Sequence, residues 1–199
     1  IRIIDYKSSI KDIDLNEVKA GIKLQLLTYM NEMCKQESAE PAGAFYYNLI
    51  EPMVKASQNM SDEQIEEELR KQFKMRGLIL ADVDIIRKMD KNLDTGSSNI
   101  IPATINKDET LSKKASNISK QQFEYLQKYT NKIIKQISEE ILSGNINIKP
   151  YYNTKNKKTP CEYCTYKSIC QFGNGICKKE YNYISNLEKE AILEMMKEK

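Results

Sequence analysis

The strongest constraint on this fold is an ordered triplet of patterns near the start of the chain. Ile3-Ile4-Asp5-Tyr6-Lys7 is a short branched-apolar run, an amphipathic helical stretch follows, and Ala44-Phe45-Tyr46-Tyr47-Asn48-Leu49-Ile50 is a second branched and aromatic run ending at Pro52. Both runs read as strands. Strand, helix, strand is the parallel crossover unit that continues a mixed sheet, so the expected class is α/β. Side chains alternate along a strand, which puts Asp5 and Lys7 on one face, roughly 6–7 Å apart at their Cα atoms. Gln25 and Tyr29, four residues apart, share one face of the helix.

A carboxylate beside an ammonium at the exposed end of an apolar strand suits metal-assisted hydrolysis. The carboxylate holds a hard cation, and the lysine handles the attacking water or the charge that develops on a phosphate. Each pattern alone is commonplace: a surface Asp-x-Lys is usually a solvated ion pair of little value. Together, in this order and about twenty residues apart, they resemble the PD-(D/E)XK nucleases, in particular their RecB-like branch. Tyr6 and Ser8-Ser9 fit the same pattern.

Composition narrows the chemistry. The 199 residues, 40% hydrophobic, suffice for one sizeable core with an appended module. There is no histidine, which excludes Ser-His-Asp and Cys-His nucleophile systems, His-metal nucleases and Cys/His zinc fingers within this sequence. No Gly-x-x-x-x-Gly-Lys-Ser/Thr phosphate loop is present. No run approaches the eighteen or so apolar residues of a membrane span, and no secretion leader opens the chain. Five cysteines without an export signal point to a reducing, cytoplasmic compartment, where clustered thiols more often ligate metal than form disulfides. The net charge of +3 does not by itself argue for nucleic acid. The chain opens inside an apparent strand and is expected to belong to something longer.

The remaining elements are expected as follows. Asp14-Leu15-Asn16-Glu17 opens a helix whose apolar face, Val18, Ile22, Leu26, Met30 and Met33, runs on past Gly21. Ser61 with Gln64 starts a charged helix that stops at Gly77, and a short helix covers 82–93. Residues 96–119 read as a loop or loose hairpin inserted into the fold. Ser119 with Gln122 opens a longer helix, with Phe123, Leu126, Ile133, Ile134, Ile137 and Ile141 inward and Gly144 at its end. Ile146 and Ile148 suggest a last short strand, 151–160 a polar linker, and a charged helix follows from about Ser185. The division is thus 1–150, a nuclease-like core with a helical insertion, and 151–199, a cysteine segment with a terminal helix.

Cys161, Cys164 and Cys170 have the spacing C-x2-C-x5-C. Three thiolates are one short of a structural zinc or a cubane iron–sulfur cluster. On spacing alone Cys177 completes a zinc knuckle, and iron–sulfur stands level with it. Cys34, on the inner face of the Gln25 helix, reads as a buried small hydrophobe. Residues 149–180 also carry seven lysines against two glutamates, interleaved with Tyr151, Tyr152, Tyr163, Tyr166 and Phe172. Positive charge among stacking aromatics suits a single nucleic-acid strand, although a solvated lysine-rich segment gives the same composition.

The nuclease and cysteine motifs together resemble the C-terminal nuclease domain of the AddB family, one of the two chains of AddAB (RexAB) helicase–nucleases. The likeness is carried by Ile3–Ser8, Leu24–Tyr29, Met75-Arg76-Gly77-Leu78, Cys161–Cys164 and Lys167–Phe172. It implies a partial restriction-endonuclease-like core with a C-terminal iron–sulfur knuckle. It implies that Asp5 binds Mg2+, that Lys7 is the catalytic lysine, and that Gln25 and Tyr29 line the site. It also implies that Cys161, Cys164 and Cys170 hold a 4Fe–4S cluster whose fourth ligand lies far upstream, with further acidic ligands on elements preceding Ile1. The implied activity is DNA exonuclease action on the single strand of an unwound duplex end, beside an AddA-like partner subunit, in double-strand break processing. The alternatives are a stand-alone RecB-family exonuclease with an iron–sulfur cluster and a non-catalytic module that grips DNA ends.

Overall fold

The computed structural model describes residues 1–50, 53, 60–112, 116–173 and 181–197. In chain order its elements are β1 (Arg2–Lys7), α1 (Leu15–Lys19), α2 (Gln25–Gln36), β2 (Gly43–Asn48), α3 (Asp62–Gln72), β3 (Arg76–Leu80), α4 (Val83–Met89), β4 (Gly96–Ser97), β5 (Thr104–Ile105), β6 (Asn117–Ile118), α5 (Lys120–Leu142), β7 (Tyr151–Asn153), a 3-10 turn (Pro160–Tyr163), α6 (Lys167–Cys170), β8 (Asn182–Ile184) and α7 (Lys189–Lys197). The chain divides into two units, 1–13 with 23–130, and 14–22 with 131–199.

The first unit is built on a four-stranded sheet in the order β1-β2-β3-β6. β1 and β2 run parallel, as the crossover pattern requires, and β3 runs antiparallel to β2, so the sheet is mixed. On one face Phe45 and Ile79 pack with Ile86, Leu93, Ile101 and Ile105, with Ile4 and Tyr47 against them. Phe45 and Ile79 are wholly buried, and each such side chain contributes about 1.5–3 kcal/mol relative to exposure. Register fixes the opposite face: Asp5 is level with Tyr46, and Tyr46 with Arg76. Residues level on adjacent strands share a face, so Asp5, Lys7, Tyr46 and Arg76 leave the sheet on the side away from Phe45.

Several expectations for the first 130 residues are corrected. The helix expected to run from Asp14 past Met33 is two helices. Asp14 caps α1 through the Asn16 N–H (2.9 Å). Ile22 N–H then bonds Glu17 C=O and Gly21 N–H bonds Val18 C=O, with Gly21 at φ +80°. That is the Schellman ending, in which glycine stops a helix rather than weakening its interior. Gly77 does not stop a helix either. α3 ends at Gln72, and Gly77 lies inside a strand that the local pattern did not reveal. A Cβ there would sit 2.2 Å from the Ala44 carbonyl oxygen, so only glycine lets β3 approach β2. Within 96–119, β4 and β5 form a small antiparallel pair, and β6 joins the main sheet. The capping boxes at Ser61–Gln64 and Ser119–Gln122 form as expected. Phe123 and Leu126 of α5 are buried.

In the second unit Asn16 holds the chain before α7 like a backbone surrogate. Its Nδ2 donates to Leu187 O (3.1 Å) and its Oδ1 accepts from Leu187 N–H (2.9 Å). Along the rest of α5 Ile133 and Ile134 are half-buried, and the inner-face expectation fails at Ile137 and Ile141, which are exposed. Ile146 and Ile148 form no strand. The strand here is β7, which pairs in parallel with β8, so 151–160 is not a linker. Local composition is blind to a pairing made across about thirty residues. No helix among the described residues is long and apolar enough to cross a membrane.

Candidate active site

β1 delivers Asp5 and Lys7 to the end of the sheet face defined above. Lys7 Nζ lies 2.9 Å from Asp5 Oδ2, with the side chains 32% and 23% exposed. Lys7 also sits over the Tyr46 ring, 5.7 Å from its centre, a cation–π distance. The Asp5 hydrogen bond raises the Lys7 pKa above its ordinary value, the nearby Asp5, Tyr46 and Tyr29 adding to it against a smaller opposing effect of burial. Lys7 is therefore an ammonium at neutral pH, a donor and not a base.

α2 brings the second pair. Its buried stripe, Leu26, Leu27 and Met30, faces inward, which by helical spacing leaves Gln25 and Tyr29 together at the surface. Gln25 Nε2 donates to Tyr29 Oη at 3.0 Å. α2 packs against β1, and Tyr29 is near enough to Lys7 to act on its charge, so the two pairs singled out in the sequence lie near one another in one patch. Sequence reasoning missed Tyr46 and Arg76. Their signal was the period of two along β2 and β3, readable only once the register is known.

Asp5 Oδ1 accepts no hydrogen bond from the described residues, and neither does Gln25 Oε1. A carboxylate and an amide oxygen are the donor types a hard cation takes, so the patch fits magnesium in kind. Among the described residues Asp5 is its one carboxylate, and an octahedral ion wants more oxygens than this pair offers. Among the described residues no three His, Cys, Asp or Glu side chains gather as a ligand group.

The cysteines lie in the second unit. Thr159 caps the 3-10 turn in a capping box with Glu162, Cys161 sits within the turn, Cys164 closes it and Cys170 ends α6. Cys164 is exposed, and Cys161 and Cys170 are partly so. Cys177 lies outside the described residues. Cys34 is buried with its Sγ 3.6 Å from Met30 Sδ, as expected of a small hydrophobe. Of the aromatics near the cysteines, Tyr163 and Tyr166 are largely exposed. Tyr152 and Phe172 are instead packed against Tyr181, at 5.5 and 4.8 Å between ring centres.

The family model described as the PD-(D/E)XK nuclease superfamily matches residues 1–171. The chain belongs to the PD-(D/E)XK nuclease superfamily. Within this superfamily it is similar to AddB proteins, the B chains of ATP-dependent helicase/deoxyribonucleases. It is 41% identical to one from Thermoanaerobacter sp. (strain X514), over 98% of this chain and 17% of the relative. It is 40% identical to one from Bacillus thuringiensis (strain Al Hakam), over 100% and 17%. A third, from Acetivibrio thermocellus, is 38% identical over 98% and 17%. This PD-(D/E)XK chain thus spans about 17% of the length of the curated relatives it matches. The AddB likeness read from the motifs is borne out by these relatives.

Proposed function

We propose that this chain is the DNA-cleaving domain of an AddB-like helicase–nuclease subunit, a magnesium-dependent exonuclease that hydrolyses phosphodiester bonds in the single strand of an unwound duplex end during double-strand break repair. The observation that carries the reading is the Asp5–Lys7 pair, 2.9 Å apart at a strand end, with the Gln25–Tyr29 pair from α2 in the same patch. The superfamily match and the relatives' names support it.

In this reading Asp5 supplies one carboxylate to magnesium, whose other oxygens come from further residues, water and the DNA. The ion, when bound, polarises the phosphoryl oxygens and lowers the pKa of its water. Lys7, held as an ammonium, has N–H donors to spare after the one given to Asp5. These orient the attacking water or meet the charge growing on a non-bridging phosphate oxygen. Tyr46 beneath Lys7 limits where that ammonium swings. Gln25 and Tyr29, already hydrogen-bonded to each other, line the path of the DNA backbone.

Cys161, Cys164 and Cys170 are assigned to a 4Fe–4S cluster, with a fourth thiolate from elsewhere in the protein. The subunit works beside an AddA-like helicase–nuclease partner, in the cytoplasm. Asp5→Ala in the full-length protein tests the central claim: magnesium-dependent degradation of single-stranded DNA is expected to vanish with folding intact. Degradation at the normal rate overturns it.

A further inference from the structure

Arg76 stands on the same rung of the sheet as Asp5, with Tyr46 between them. Two strand spacings of about 4.8 Å place its Cα about 10 Å from that of Asp5, on the same face. Among the described residues its guanidinium has no carboxylate partner and is exposed. Arg76 borders a cavity of about 220 Å³ whose other walls include Lys71, Lys74, Gly77, Ser116 and Asp12. That is room for a phosphate group with several waters, each water taking about 30 Å³.

The charges around this cavity are not balanced from within. Lys71 is held by Glu67 and Glu68, at 3.2 and 2.8 Å. Lys74 has no carboxylate partner among the described residues. Its Nζ donates to Ser97 Oγ at 3.1 Å, and burial lowers its pKa from the ordinary value. Asp12, the carboxylate of the wall, accepts from Ile13 N–H at 2.8 Å. Two cations thus lack an anion, and one of them is partly desolvated, the condition in which an ammonium gains most from a bound anion. A forked guanidinium with an adjacent ammonium is suited to a phosphate.

We propose that Arg76 and Lys74 form a phosphate clamp that holds an internal backbone phosphate of the strand being cut, about one to three nucleotides from the bond at Asp5 and Lys7. The clamp rests on the nuclease reading above. Arg76 and Lys74 are positioning residues: they touch the strand away from the scissile bond and set its register over Asp5.

The test uses the full-length protein and single-stranded oligonucleotides carrying one neutral methylphosphonate at successive positions, with or without a 5′ phosphate. In the wild type, neutralising one linkage at a fixed offset from the cut is expected to slow cleavage about tenfold, the effect of losing one charged contact. In Arg76→Ala that penalty disappears, KM for unmodified DNA rises about tenfold and kcat changes little, the pattern of lost uniform binding. Arg76→Lys restores most of the binding, and Lys74→Met gives a smaller rise in KM at the same offset. In EDTA, where cleavage stops, the salt dependence of oligonucleotide binding by Arg76→Ala is expected to be shallower by about one unit of slope. An Arg76→Ala enzyme with an unchanged methylphosphonate profile and salt slope overturns the clamp. A penalty that follows only the 5′ phosphate overturns the internal-phosphate assignment. Asp5→Ala separates the two readings. If it is inactive while Arg76→Ala behaves as wild type, the clamp alone fails, and if it cleaves normally the nuclease assignment itself fails.

Discussion

Lys7 Nζ sits 2.9 Å from Asp5 Oδ2 while lying over the Tyr46 ring, so one ammonium is steered by a carboxylate on its own strand and an aromatic on the next. The pair is half-buried, and an ion pair that solvent still reaches adds little to stability. Its value is positional.

Lys7→Gln in the full-length protein is therefore expected to lower single-turnover cleavage of DNA by at least about a hundredfold, the effect of losing one donor aimed at developing charge. Resistance to denaturation is expected to change little. Lys7→Arg is expected to recover little, because a planar guanidinium over Tyr46 presents its donors in a different geometry. A Lys7→Gln enzyme that cleaves at the normal rate removes this residue from the mechanism.

Gly77 is at φ +139°, with the Ala44 carbonyl oxygen in the space a Cβ would need. Gly77→Ala is expected to destabilise the β2–β3 pairing by at least about 2 kcal/mol. Amide exchange measures it: protection in 43–48 and 76–80 falls by more than about tenfold. Gly96→Ala is the control, since Gly96 also has positive φ but a Cβ there meets nothing within 4 Å. Equal protection losses in the two variants refute the close-approach explanation.

Burial pushes the Cys34 thiol above its ordinary pKa. The folded state thus keeps the proton longer than the unfolded one. Stability from this group is intact below the unfolded-state pKa of about 8.5 and declines as pH rises through the higher folded value. Denaturant midpoints between about pH 8 and 9.5 should fall with pH in the native protein. In Cys34→Ala the curve is lower overall and flatter across that window. Parallel curves for the two proteins contradict the assignment.

The cysteine proposal is tested by metal content. Anaerobically purified full-length protein is expected to contain iron and inorganic sulfide with broad visible absorbance. Cys164→Ser loses both, and Cys177→Ser keeps them. Stoichiometric zinc without iron, lost in Cys177→Ser, assigns the segment to a local four-cysteine knuckle instead.

Sequence alone determined the elements whose signals are local. The parallel β1–β2 crossover follows from two branched runs around a 3.6-period stretch, and the capping boxes at Ser61–Gln64 and Ser119–Gln122 are written within four residues. The spacings of Asp5 with Lys7 and of Gln25 with Tyr29 put each pair on one face, whatever surrounds them. Tertiary structure decided everything that depends on register. β3 is easily mistaken for the end of a helix when Gly77 is read by its usual habit, whereas its role is set by Ala44, more than thirty residues earlier. The same distance hid the β7–β8 pair, whose strands are only three residues each and gain stability from one another rather than from propensity. The Asp5–Tyr46–Arg76 rung exists only once three strands are hydrogen-bonded in one alignment. A one-residue slip would send Tyr46 or Arg76 to the opposite face.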